Sequence, residues 1–175
     1  PRADARLTVD DFTRTSISGV SQPVDIALVG RLLPDGGNMR AVIRRLGAPV
    51  GRLQVDLTPL PPGTGGWVER LLASPLTGGL RYNGPADTLF SLAALQDQSL
   101  KGNVGVAADF SGRVQDPHLS GVVRANDLVY ENSSYGTKLT KLRVRGTFVD
   151  DRLDVTELTA QAGEGTVKGS GFVSL

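Results

Sequence analysis

Strict alternation of apolar and polar side chains is the feature that most constrains the fold of this chain. In the segment LKGNVGVAADFS, residues 100–111, leucine, valine and phenylalanine occupy even positions, whereas lysine, asparagine, aspartate and serine occupy odd ones. Successive side chains of a β-strand point to opposite faces, so this period predicts a long strand with one dry face and one wet face. The segments KLRVRGTFV, VDIALVGRL and RLQVDL repeat the pattern.

One segment, RLDVTELTAQA, changes parity partway along. Its apolar positions begin at Leu153 and Val155 and continue at Leu158, Ala160 and Ala162. A β-bulge near Glu157 would return these five side chains to the same face.

Turn-forming residues separate the alternating segments, at 34–37 (PDGG), 83–85 (NGP), 116–117 (DP) and 150–151 (DD). Short turns favour antiparallel pairing, so we expect about ten mainly antiparallel strands. One short helix is expected near 66–73, within a Pro- and Gly-rich interruption at 59–75. The chain is therefore predicted to be all-β, with a single unit covering 1–175.

The predicted dry face carries many Gly, Ala and Val residues, which leaves more space than the core of an ordinary β-sandwich. We therefore expect a folded-over, taco-like sheet around an apolar groove. Each buried methylene contributes about 0.8 kcal/mol, so an acyl chain of roughly 15 carbons would gain on the order of 10 kcal/mol in such a groove. The predicted groove residues are Val24, Ile26, Leu28, Leu53, Val55, Leu57, Leu100, Val104, Val106, Phe110, Leu142, Val144, Phe148, Leu153, Val155, Val167 and Val173. Trp67 and Leu71, on the predicted helix, are expected to cap one end of the groove.

Composition excludes several classes of protein. The chain has 19 basic and 18 acidic residues, well mixed, so net charge gives no reason to expect a nucleic acid partner. It has no cysteine, which excludes disulfides and thiolate metal sites. No apolar run approaches the roughly 18 residues that span a bilayer. Both ends of the sequence fall within strand-like patterns, so we expect a piece of a longer protein.

Motifs for catalysis or for cofactor binding are weak in this sequence. The glycine-rich end, AGEGTVKGSGFVSL, is not followed by a helix that could bind phosphate, so we interpret its glycines as structural residues on the inward face of a strand. His118 is the single histidine, and we expect it to be exposed near a turn. We therefore expect no enzyme activity, no cofactor and no metal site.

A basic row, Lys138, Lys141, Arg143 and Arg145, is predicted on the wet face of one strand. The simpler interpretation is a solvated face with nearby acids such as Asp127 and Asp154 as partners. The alternative is contact with lipid headgroups or with an acidic partner.

Residues 98–175 resemble the repeat of the TamB family of translocation and assembly proteins of Gram-negative bacteria. The matching features are the P-x-L-x-G at 117–121, YE at 130–131, YGTKL at 135–139, the strand-turn-strand RVRGTFVDDRLDVTEL and the closing GEGTVKGSG. Residues 1–97 are similar only diffusely. AsmA-like relatives and bridge-like lipid transfer proteins share this glycine-punctuated strand pattern.

The resemblance implies a non-enzymatic periplasmic protein, anchored in the inner membrane by a segment outside this sequence. The implied partner is the outer-membrane barrel TamA. The implied function is to shield hydrophobic cargo between the membranes and so to support assembly of outer-membrane proteins and autotransporters, and protein secretion. Two alternatives remain: a conduit for phospholipid acyl chains, with protein assembly as a secondary effect, and a closed structural β-domain. The cargo would be acyl chains, unfolded outer-membrane protein strands, or both.

Overall fold

The structure, a computed structural model, describes residues 2–12, 15–16, 19–20, 23–33, 36–58, 65–92 and 98–174. Almost all of them lie in strands. The elements are β1 (Ala3–Phe12), β2 (Thr15–Ser16), β3 (Gly19–Val20), β4 (Val24–Leu33), β5 (Gly36–Arg45), β6 (Ala48–Leu57), α1 (Trp67–Ala73), β7 (Leu76–Pro85), α2 (Ala86–Leu92), β8 (Gln98–Arg113), β9 (Asp116–Asn132), β10 (Thr137–Val149), β11 (Arg152–Ala162) and β12 (Gly165–Ser174).

Within the described ranges, ten strands form one antiparallel sheet in the order β1-β4-β5-β6-β7-β8-β9-β10-β11-β12. The sheet is not closed into a barrel, and β1 and β12 form its edges. The short strands β2 and β3 pair with each other outside it. The prediction of an all-β, mainly antiparallel fold is confirmed.

The two helices lie at opposite ends of the strands. Helix α1 connects the last residue of β6, Leu57, to the first residue of β7, Leu76, and these two residues are themselves register partners. The predicted interruption therefore leaves the sheet continuous. Helix α2 follows the other end of β7. We call the two ends of the sheet the α1 end and the α2 end.

Bulges bend the sheet at several places. The one predicted near Glu157 is confirmed, because the pairing of β11 with β12 shifts between Val155 and Leu158. Three further residues with positive φ, Gly102, Asp127 and Lys141, lie at bulges on the adjacent strands β8, β9 and β10. Bulged strands bend and twist more strongly, so these three irregularities act together as a crease near the α2 end.

Two of the predicted turns were wrong. Residues 83–85 lie within β7 and pair with β8, and helix α2, which was not predicted, begins at Ala86. Gly84 does not form a turn. It allows close packing within the sheet, since a Cβ there would lie 2.8 Å from Val50 Cβ. Residues 116–117 begin β9, and the turn lies at 114–115. The turn at 150–151 is confirmed, whereas Pro34 and Asp35 lie outside the described residues.

Burial is concentrated on one side of the sheet, near the α2 end. The main cluster of buried side chains comprises Tyr82, Ala86, Val104, Ala125, Leu128, Leu142 and Ala160. Both edge strands are far more exposed, and every residue of β12 is exposed. None of the helices formed by the described residues has the length and apolar character needed to cross a membrane.

Candidate functional site

The register places the predicted groove residues on one face of the sheet, which we call the apolar face. Residues that are directly opposite each other on antiparallel strands project to the same side. One row across the sheet pairs Leu28 with Ala41, then Leu53, Leu80 and Ala108. A second row pairs Val104 with Ala125, Val144 and Leu158.

The remaining predicted residues join the same rows. Val106 is opposite Tyr82 and Val123, and Phe148 is opposite Leu153, which is opposite Val173. Other residues on this face follow by pairing or parity: Val24, Ile26, Val55, Leu57, Phe110, Val155 and Val167. Beyond the crease, Leu100 packs against the buried cluster that contains Leu142. Ten strands at a spacing of about 4.8 Å make this face roughly 45 Å wide.

Sequence reasoning missed several members of this face. Leu76, Leu80 and Tyr82 alternate in β7, and Met39 lies opposite Val55. Alternation was present in LTGGLRYNGP, but the glycines and the proline suggested a turn. The signal that identifies these residues is the register with β6 and β8, which a single sequence does not contain.

Helix α1 lies over the apolar face at the α1 end. Leu71 lines a cavity of about 390 Å³ together with Leu28, Val55, Leu57 and Leu76. The helix is fixed by backbone hydrogen bonds at its carboxyl end, where the Gln115 and Val114 N–H groups donate to Leu72 O (2.9 Å) and Ser74 O (3.1 Å). Leu71, one of the two predicted cap residues, therefore borders residues of the apolar face. Trp67 does not: its side chain is 54% exposed, and it is not among the cavity-lining residues.

Helix α2 covers the apolar face at the other end. Ala86 is 1% exposed and belongs to the buried cluster with Val104 and Leu128. The helix is attached by Arg45, whose Nη1 donates to Asp87 Oδ1 at 3.0 Å. Tyr82 Oη donates to Pro85 O at 2.7 Å, at the junction of β7 and α2. Burial raises the pKa of the Tyr82 phenol above its ordinary value of 10.0.

Between the two helices the apolar face is only partly covered. Val106, Val144, Phe148 and Val155 are half-buried, and toward the β12 edge Val173 is 53% exposed. Apolar side chains that remain accessible on a single sheet layer provide a surface on which an apolar molecule can lie.

The glycines of β12 do not relieve a close approach within this chain. A Cβ at Gly171 would meet nothing within 4 Å, and one at Gly169 would lie 4.0 Å from Leu158 Cδ2. Their expected position on the inward face agrees with the register, but the expected crowding is absent among the described residues. Gly146, in β10, is crowded, because a Cβ there would lie 2.8 Å from Asp154 O and 3.1 Å from Leu153 Cδ1.

The opposite face, which we call the polar face, carries the predicted basic row. The partners of its residues differ from those expected. Arg145 Nε lies 3.4 Å from Glu157 Oε2, and Lys138 Nζ lies 2.9 Å from Glu131 Oε1. Asp154 pairs instead with Arg152, at 2.7 Å. The neighbouring Lys138 and Lys101 lower the pKa of the Glu131 carboxyl.

The chemical groups considered from the sequence are not assembled into a reaction centre by the described residues. His118 Nδ1 lies 3.1 Å from Asp150 Oδ1, and both side chains are more than half exposed. No group of three or more metal-ligating side chains occurs in the described part of the chain. Comparisons with protein-family models, with curated proteins and with solved structures gave no match to this chain.

Proposed function

We propose that this chain is part of a TamB-like, non-enzymatic periplasmic protein whose apolar face shields hydrophobic cargo between the inner and outer membranes. The observation that carries the proposal is the apolar face itself, to which paired strands from β1 to β12 contribute. A surface of this kind binds apolar molecules through burial and needs no catalytic group. In the cell, shielding would support assembly of outer-membrane proteins and autotransporters, with TamA as the outer-membrane partner.

Phospholipid transport is the second candidate, and a specific observation favours it. The cavity beneath α1 is lined mainly by side chains such as Leu28, Met39, Leu57 and Leu71, with little polar surface. An extended protein strand placed there would leave its backbone N–H and C=O groups without partners, at a cost of several kcal/mol. An acyl chain has no such groups, so this part of the face suits a lipid better than a peptide.

A protein client would use a different part of the molecule. The outer edge of β12 has no strand beyond it among the described residues, and a client strand could pair there by β-augmentation. The two candidate functions therefore predict contacts at different places.

Photo-crosslinking in cells tests both. The photoreactive residue is placed in the full-length parent at Val106 and Val144 on the apolar face, with Ser111 and Arg143 on the polar face as controls. Phospholipid adducts from the apolar pair alone would support lipid transport, and adducts to outer-membrane proteins would support protein assembly. Absence of both adducts in a folded protein would contradict the proposal and favour a closed structural domain.

A further inference from the structure

The polar face contains a cavity of about 910 Å³ over β6, β7, β8 and β9, on the side of the sheet away from the apolar face. Its floor is made of the small residues Gly105 and Ala107. Three arginines and three asparagines surround the floor: Arg52, Arg81, Arg124, Asn83, Asn103 and Asn126. None of the described residues that line this cavity is a carboxylate.

The register explains why these side chains converge. Gly105 lies directly between Asn83 and Arg124, and Asn103 is opposite Asn126 in the next outward-facing row. Arg52 is three strands from Arg124 and two residues along the strand direction, which places their Cα atoms about 16 Å apart. Two long arginine side chains at this separation can reach one anion that lies above Gly105.

Positive charge in the cavity is only partly neutralised. Several arginines elsewhere on the polar face have acidic partners, such as Arg31 with Asp4 at 2.8 Å. In the cavity Arg81 pairs with Asp109 at 2.6 Å, whereas Arg52 and Arg124 have no ion pair within the described part of the chain.

The pairing of the strands also places arginines directly opposite each other. Arg52 lies directly opposite Arg81, and Arg124 lies directly opposite Arg145. Like charges that face each other across two strands destabilise a sheet. A bound anion next to Arg52 and Arg124 would reduce that repulsion.

Space for an anion exists at the floor. A Cβ at Gly105 would meet only Arg124 O, at 3.8 Å, so the volume above this glycine is open. The asparagine carboxamides can donate hydrogen bonds to a ligand's oxygens, and guanidinium groups bind phosphate through two parallel N–H···O bonds.

We propose that this cavity binds the phosphate group of a phosphorylated polar molecule, with Arg52 and Arg124 as its main ligands. The phosphate could belong to a lipid headgroup or to a soluble ester. The inference does not rest on the function proposed above, because the cavity and the apolar face lie on opposite sides of the sheet.

Two binding measurements on the 175-residue chain test the proposal and separate the two sources. One is calorimetric titration with glycerol 3-phosphate, and the other is co-sedimentation with phosphatidylglycerol vesicles, with phosphatidylcholine vesicles for comparison. Binding of glycerol 3-phosphate indicates a soluble ester, and binding to phosphatidylglycerol vesicles alone indicates a lipid headgroup. In either case the R52Q/R124Q double variant should bind at least about tenfold more weakly.

Two controls distinguish binding in this cavity from nonspecific binding to positive charge on the surface. The R40Q/R113Q variant removes the same charge from exposed positions outside the cavity and should bind as the unmodified chain does. Gly105→Leu fills the floor without altering charge and should also abolish binding, with circular dichroism to show that the fold is intact. The proposal fails if the unmodified chain binds neither probe, if R40Q/R113Q weakens binding equally, or if folded Gly105→Leu binds normally.

Discussion

At the scale of single residues, glycines at inward positions of alternating strands have different structural roles. Gly146 and Gly171 both lie on the apolar face, and both interrupt alternating strands. Gly146 is surrounded by Val123, Leu153 and the backbone of Asp154, whereas Gly171 faces open space. A sequence identifies each as an inward glycine, but the presence of a crowding neighbour depends on the strands beside it.

This difference predicts opposite responses to the same substitution. Gly146→Val should lower the free energy of unfolding by about 2 kcal/mol, because the added methyl groups must displace packed neighbours. Gly171→Val should leave stability unchanged or raise it slightly, since valine has the higher strand propensity and no neighbour must move. Urea unfolding of both variants measures the effects, and equal losses at the two positions would contradict the packing described here.

At the scale of the elements, alternation was sufficient to predict most strands but not helix α2. The parity of Val104 and Val106, or of Leu142 and Val144, predicts which face each side chain occupies because a strand repeats every two residues. The bulge near Glu157 followed from a change of parity alone. Helix α2 has only seven residues, too few to establish a helical period, and the NGP before it is typical of a turn.

The junction of β7 with α2 predicts a dependence of stability on alkaline pH. Burial raises the pKa of Tyr82, so the folded chain holds its phenolic proton at pH values where the unfolded chain has lost it. The contribution of the Tyr82 phenol to the free energy of unfolding is therefore fully present below pH 10. It is lost as the pH rises through the folded-state pKa. Tyr82→Phe should cost about 1 kcal/mol at neutral pH, through loss of the hydrogen bond to Pro85 O, and should reduce the alkaline loss.

Thermal unfolding of the unmodified chain and of Tyr82→Phe, measured between pH 8 and pH 11, tests this prediction. Tyr135, which is 85% exposed, provides the control, because Tyr135→Phe removes a hydroxyl from the surface and should leave the melting temperature at neutral pH unchanged. An unchanged alkaline loss in Tyr82→Phe would show that another group controls it.

Helix α1 predicts a contrast between adjacent leucines. Leu71 lines the apolar cavity, whereas Leu72 is 40% exposed. A charge at the first position enters the cavity, so Leu71→Asp should reduce binding of an apolar fluorescent probe severalfold, and Leu72→Asp should leave it near the unmodified level. Equal binding by both folded variants would place the probe elsewhere on the sheet.

At the scale of the whole molecule, every strand of the sheet contributes side chains to the apolar face. Its function should therefore be lost when a charged side chain is introduced, and retained when one apolar side chain replaces another of different shape. Val144 lies on β10, the third strand from the β12 edge, where it is half-buried and opposite Ala125 and Leu158. Val144→Asp in the parent protein should abolish cargo crosslinking at Val106, because a charge in the path must be desolvated as cargo passes.

Val144→Ile keeps the surface apolar and is the matched control. It should crosslink as the parent does, since a nearly isosteric change rarely costs more than about 1.5 kcal/mol. Crosslinking that persists with aspartate at this position, in a protein shown to be folded, would argue against movement of cargo along the face.

The strand order also affects how such a chain acquires its structure. From β4 to β12 each strand of the sheet pairs with the strand that follows it in the chain, and antiparallel neighbours are joined locally. Local pairing shortens the loops that must close before contacts form, so folding can begin at any hairpin and extend in both directions. We infer that these strands pair one after another as the chain emerges during synthesis. Each strand can pair with the strand that precedes it as soon as both have been synthesised.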